Sequence, residues 1–286
     1  MQVYQDKIGK QNFATLRLKK KPTRSEEKFC FTDREGNDCL SPSKMMDFLI
    51  SVADRSIYKL GGEVTIGGKL YKVKKAGVGA PYTLLLQQQQ GGFSCEIDLV
   101  PAVSLKIKKL PHNMKQHAVL IKKIFQSDVK NCLAIALRPA DMEQFEIDFY
   151  DIEVSILRTS DVGRKVVMLL KHLRDIKGGP LKKFRSHMLK TMVLHKIIMW
   201  QAFRKVKPSS CWDEENLEEC LLDCLRSWLD HIDNGLQDIF FPGINLLDRL
   251  RKHSEAVQNT KQFISGLLFR IHFHSLTWEK VKTLYF

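Results

Sequence analysis

Apolar residues change their period part-way along this chain, and that change limits the folds open to it. Before about residue 155 they fall in short β-prone runs divided by paired glycines; after it they recur every three or four residues in long stripes. Alternation of period two makes strands, and period 3.6 makes helices. A strand-rich lobe followed by a helical lobe is an α+β chain. Phe13 to Leu18 reads as a strand running into a lysine-rich turn before Pro22. Ser41-Pro42 then opens a helix, serine as N-cap and proline at the first helical position. Met45, Phe48, Leu49, Val52 and Ala53 give that helix one stripe, expected to be buried. Val64 to Val73 reads as a hairpin turning at Gly67-Gly68, with further strands at Tyr82 to Leu86 and Ser94 to Val100. In the second half, Arg164 to Lys177 is a helix stopped by Gly178-Gly179-Pro180. Phe184 to Phe203 and Leu217 to Ile232 are two more, and shorter helices are expected after Pro242 and Ser254.

Charge is segregated along the chain. The formal net charge is +14, from 46 Lys and Arg against 32 Asp and Glu. Between Arg164 and Lys207 there are 13 Lys or Arg and one acid, Asp175. Between Asp213 and Asp238 there are nine acids and one arginine, Arg226. Solubilising charge is normally interspersed, whereas a block of one sign creates a field that attracts polyanions. The seven cysteines form no framework spacing and fit free thiols of a reducing compartment. Cys211, Cys220, Cys224 and His231 can be drawn as a metal site, but small buried cysteines on a helix explain the same spacing. No apolar run has bilayer-spanning length, and the first residues lack the apolar core of a signal peptide. The expectation is a cytoplasmic or nuclear protein with no membrane partner.

Two places carry candidate chemistry. Asp98 lies within Cys95-Glu96-Ile97-Asp98-Leu99, an acid in an apolar strand. Alternation puts Glu96 and Asp98 on one face, where a carboxylate can hold Mg²⁺ or can simply face water. The run Phe184-Arg185-Ser186-His187-Met188-Leu189-Lys190-Thr191 puts hydroxyl and cationic groups at a helix start. Free backbone N–H groups there can receive phosphate, and an exposed basic helix start is the alternative.

Five runs in order resemble the cyclic GMP-AMP synthase family, a pattern shared by the insect cGAS-like receptors and the male-abnormal (Mab) proteins. They are Leu40-Ser41-Pro42-Ser43-Lys44-Met45, Gly79-Ala80-Pro81-Tyr82-Thr83-Leu84-Leu85, Glu96-Ile97-Asp98-Leu99, Phe184 to Thr191, and Trp212-Asp213 with Phe240-Phe241-Pro242-Gly243-Ile244-Asn245-Leu246. The resemblance implies a bilobed nucleotidyltransferase fold that binds ATP and GTP and makes a cyclic dinucleotide. It implies two Mg²⁺ or Mn²⁺ ions held by three acids, the third of them Asp98. A Gly-Ser loop and Glu-x-Asp pair would supply the other two, and neither precedes Phe13. The expected division is therefore a partial nucleotidyltransferase core over 1–155 and a helical lobe over 156–286. As given, the chain is expected to be inactive, either a truncated enzyme or a pseudoenzyme.

The resemblance also implies nucleotide contacts at Ser186 and at His187, which replaces a base-stacking tyrosine. A triphosphate-binding lysine of the family falls at Val167, with Lys165 or Lys171 able to stand in. No zinc is expected, because Arg158 to Gly163 replace the cysteine-bearing thumb. Without a thumb, double-stranded RNA is the expected activating ligand in preference to double-stranded DNA. Its candidate contacts are Lys19, Lys20, Lys21, Arg164, Lys165 and Lys171. The implied role is an innate immune sensor, with a non-catalytic Mab-type developmental or RNA-binding protein as the alternative.

Overall fold

The structure, a computed structural model, describes residues 1–4, 12–76, 81–136, 143–203, 212, 216–248, 250 and 253–272. Gly79, Ala80, Cys211, Asp213 and the tail beyond 272 lie outside the described residues. The chain is α+β and divides into two compact units. One comprises Met1–Asn113 with Lys130–Phe149, the other Met114–Val129 with Tyr150–Phe286.

The first unit holds two sheets in which every described pairing is antiparallel. The larger contains β1 (Gln2–Tyr4), β2 (Phe13–Arg17), β3 (Cys30–Thr32), β4 (Asp38–Leu40), β9 (Ala102–Lys106), β10 (Asn131–Ile135) and β11 (Phe145–Asp148). Its order is β3-β4-β2-β11-β10-β9, with β1 also on β2. Alternation is regular: Ala14 and Leu16 of β2, Cys132 and Ala134 of β10, and Phe145 and Ile147 of β11 all face inward and are buried. The smaller sheet runs β5 (Glu63–Ile66), β6 (Lys69–Lys75), β7 (Tyr82–Gln88) and β8 (Ser94–Leu99) in order. Gly67 and Gly68 both take positive φ, 55° and 74°, as a two-residue turn between right-twisted strands requires.

Between the sheets in sequence lies α1 (Pro42–Lys59). The Ser41 hydroxyl accepts the Lys44 N–H at 3.1 Å and Pro42 opens the first turn, as the sequence predicts. The stripe is a correction. Phe48 is 44% exposed and Val52 is exposed as well, while Pro42 and Met46 are the buried residues. Phe48 is covered only in part, edge-on to Phe29 at 5.2 Å and with the Lys28 ammonium 4.5 Å from its ring centre. The helix is tied to β7 instead by Tyr82, whose buried hydroxyl donates to Asp54 at 2.5 Å. Burial, then that bond, push the phenol up to about 12.

The second unit is helical: α2 (His112–Ile124), α3 (Tyr150–Arg158), α4 (Asp161–Lys177), α5 (Ser186–Phe203), α6 (Leu217–Asn234) and α7 (Ser254–His272). The α4 helix starts three residues earlier than the apolar pattern suggests, because Ser160 caps it by accepting the Gly163 N–H at 3.0 Å. Val162, Val166, Val167, Leu170 and Leu173 form its inner stripe. Each such side chain, fully buried, contributes about 1.5–3 kcal/mol. Gly163 lets α5 come close: a Cβ there would lie 2.5 Å from Ile197 Cδ1. Along α5, Leu189, Met192, Val193, Leu194 and Ile197 are buried, so it is the central helix of the unit. Trp228 of α6 packs edge-on to Phe184 at 5.1 Å. The helices expected after Pro242 and Ser254 are also corrected. Among the described residues, Pro242 begins turns closed by a Gln237–Asn245 bridge, and the Ser254 helix is 19 residues long.

Candidate functional site

Asp98 sits on β8, the last strand of the smaller sheet, and is exposed. Register places it opposite Thr83, whose hydroxyl donates to Asp98 Oδ1 at 2.6 Å. Glu96 is two residues back, hence on the same face, opposite Leu85. The expected alternation is thus present. Asp98 can supply one hard oxygen ligand, but two bridging ions need several carboxylates. Among the described residues no three His, Cys, Asp or Glu side chains are grouped to hold a metal ion. The described residues therefore do not fit a complete two-metal centre. Cys220 and Cys224, sharing one face of α6, are both buried and form no disulfide among the described residues.

The basic candidates are divided between the two units. Lys19, Lys20 and Lys21 follow β2 and are exposed. Arg164 and Lys165 are exposed on α4, with Arg164 paired to Asp161 one turn back. No described helix is long and apolar enough to cross a membrane.

The start of α5 gathers far more. Ser186 opens the helix, His187 follows, and Lys190 is one turn on. Lys190 donates to Glu153 of α3, a carboxylate only 4% exposed. His187 Nε2 lies 3.7 Å from Asp238. Asp238 itself accepts the N–H groups of Phe240 and Phe241 at 2.8 and 2.9 Å, so its position is fixed by the turn that follows. Burial alone lowers the pKa of the His187 imidazole; Asp238 and Glu153 outweigh it and hold that pKa above the usual histidine value. From α4, Arg174 donates Nη1 to Ser186 Oγ at 2.9 Å and to the Phe184 carbonyl at 3.3 Å, while its Nε reaches Asp175 at 2.7 Å.

Lys171 completes the group. Val167, where the family's lysine would fall, is 7% exposed and part of the core. One helical turn later Lys171 is half-buried, and its pKa is lowered first by burial, then by Lys190 and Arg174. Three cations here have a carboxylate: Glu153 for Lys190, Asp175 for Arg174, Asp238 for His187. Lys171 has none within ion-pair distance among the described residues, and Asp175 only partly offsets its repulsion. Such an arrangement favours an added anion, and a phosphate at a helix start also meets free N–H groups.

Of the expected nucleotide residues, Ser186, His187 and Lys171 therefore lie around one helix start. Glu153, Asp238 and Arg174 belong with them and were not read from the sequence as part of a site. Glu153 carried a usable signal, since it lies between Ile152 and Ile156 on an otherwise apolar helix face. It is the same anomaly that singled out Asp98.

Residues 163–263, the stretch that contains this cluster's α5 and all but the first two residues of α4, match the family model of the Mab-21 protein HhH/H2TH-like domain. The chain is 22% identical over 193 residues to the cyclic GMP-AMP synthase-like receptor 1 of Drosophila erecta, which covers 67% of this chain and 40% of that receptor. It is 21% identical over 161 residues to the receptor of the same name from Drosophila melanogaster, 56% of this chain and 40% of the relative. The matched region thus spans two fifths of the length of these relatives.

Proposed function

We propose that this member of the Mab-21 and cGAS-like receptor family binds the triphosphates of ATP and GTP at the start of α5, and serves as a nucleotidyltransferase that makes a cyclic dinucleotide in response to double-stranded RNA. The observation that supports it most is the unbalanced charge of Lys171 beside Lys190, Arg174 and the first turn of α5. A triphosphate brings the negative charge that this cluster lacks, and the Ser186 hydroxyl can donate to it. His187 offers a ring able to stack on a base, smaller than tyrosine, with its pKa raised by Asp238 and Glu153 against the effect of burial. Asp98 is the residue assigned to metal, Mg²⁺ or Mn²⁺, and its partner acids are not assigned within this sequence. Duplex RNA would meet Lys19, Lys20, Lys21, Arg164 and Lys165, read by backbone shape and charge.

Calorimetric titration of the chain with ATP tests the binding claim. Lys171→Ala is expected to weaken ATP by about tenfold or more, the value of losing a hydrogen bond to a charged group. Equal affinities in wild type and variant would overturn it. That no three potential ligands are grouped around Asp98 among the described residues favours a second reading, a nucleotide- or RNA-binding protein without catalysis. Protein expressed from its endogenous transcript and incubated with ATP, GTP, Mn²⁺ and duplex RNA separates the two. Cyclic dinucleotide product supports the synthase; ATP binding without product supports the binder.

A further inference from the structure

We infer that Arg174 is a positioning residue for the α5 start: it fixes Ser186 so that the serine hydroxyl proton points to the bound phosphate. The inference rests on the nucleotide-binding reading above and names a residue that neither the motif nor its spacing singles out.

The geometry is specific. One guanidinium nitrogen, Nη1, carries two hydrogens and gives one to Ser186 Oγ at 2.9 Å and the other to the Phe184 carbonyl at 3.3 Å. Those two acceptors flank Arg185, the residue at which the chain turns from the preceding 3₁₀ segment (Gly179–Lys183) into α5. The Leu189 N–H closes onto the Arg185 carbonyl at 3.3 Å, so the first helical turn begins at the residue that Arg174 brackets. Arg174 is held in turn: its side chain is largely buried, Asp175 takes Nε at 2.7 Å, and α4 itself packs its Val166, Val167, Leu170 and Leu173 stripe into the core.

Hydroxyl chemistry supplies the consequence. A serine Oγ has one proton to give and two lone pairs to receive. Guanidinium only donates, so the bond between them consumes a Ser186 lone pair and leaves the proton unspent. A donor aimed at a helix start whose N–H groups also point outward suits a phosphate oxygen. Arg174 thus acts on the ligand through Ser186, and its charge, shared with Asp175, adds less than its geometry. Lysine at 174 would keep the charge on a single nitrogen at the end of a flexible stem, with no second nitrogen for Asp175 to hold while the first serves both acceptors.

The test is ATP and adenosine binding, by calorimetry, in wild type, Arg174→Lys, Ser186→Ala and the double variant. Each single change is expected to weaken ATP by about tenfold, and Arg174→Lys is expected to cost nothing further once Ser186 is alanine. Adenosine, with no phosphate, is expected to bind all four alike. Full ATP affinity in Arg174→Lys overturns the inference, because charge then suffices. Independent, additive losses in the double variant, or an equal loss of adenosine binding, also overturn it and point to a merely structural arginine. If wild type binds no ATP, the nucleotide reading falls and this inference falls with it. Should Arg174→Lys not fold, Arg174→Gln, which keeps an N–H donor without charge, is expected to retain more ATP affinity than Arg174→Ala; the reverse order overturns the inference.

Discussion

Removing Lys190 should cost more stability than its place on a basic helix suggests. Its ammonium answers Glu153, which is 4% exposed, while the lysine side chain is 22% exposed. Lys190→Ala leaves a carboxylate buried among Ile152 and Ile156 with its main counter-charge gone. Breaking a fully buried pair costs about 3–5 kcal/mol; water entering through the lysine's open side lowers that to about 2–3 kcal/mol. In a helical unit of about 150 residues, 1 kcal/mol moves Tm by about 2–4 °C, so the expected drop is about 4–12 °C. Thermal melts followed by far-UV circular dichroism measure it directly. The paired change Glu153→Gln with Lys190→Met removes both charges and keeps the volumes, and is expected to recover most of the loss, because no buried charge is then left without the ammonium. A Lys190→Ala melt at the wild-type temperature would refute the reasoning. So would a double variant as unstable as the two single variants summed.

Further outcomes follow from the same geometry. His187 has a folded-state pKa above its unfolded value, so its contribution to stability is complete below about pH 6.5 and is lost as pH rises through the folded pKa. Asp238→Asn should lower the His187 midpoint in an NMR titration, and an unmoved midpoint would remove Asp238 as the cause. Gly163→Ala should destabilise by about 1–3 kcal/mol, since the new methyl meets Ile197; a neutral melt would show that α5 can retreat. Replacing both Arg164 and Lys165 with alanine should flatten the log–log salt dependence of duplex RNA binding by about one for each phosphate no longer neutralised, and an unchanged slope would remove them from the interface.

Local signals were legible in the sequence and long-range ones were not. Ser41-Pro42 and Gly67-Gly68 are read without knowing the rest of the chain, because a cap or a two-residue turn is satisfied by its own neighbours. The stripe on α1 misled for the converse reason. Periodicity says which residues share a face, and nothing about what covers Phe48. Short elements, such as α3 with nine residues or β11 with four, repeat their period too few times to stand out. In the site, Ser186 and His187 came from one continuous run. Arg174 meets Ser186 from 12 residues away and Lys190 meets Glu153 from 37, and only the packing of α3, α4 and α5 brings those partners together. Lys171 was one of two candidate replacements for a lysine at Val167; burial of Val167 and the half-buried setting of Lys171 beside Lys190 favour it over exposed Lys165.

The central claim is that the start of α5 receives nucleotide phosphate. Titrating ¹⁵N-labelled chain with ATP, and following backbone amides by heteronuclear NMR, tests it residue by residue. Saturable shifts are expected at Ser186, His187 and Met188 in the first turn of α5 and at Lys171 on α4, with smaller ones at Arg174. Shifts confined to the exposed lysines Lys19, Lys20 and Lys21, or no shifts at millimolar ATP, would contradict the account.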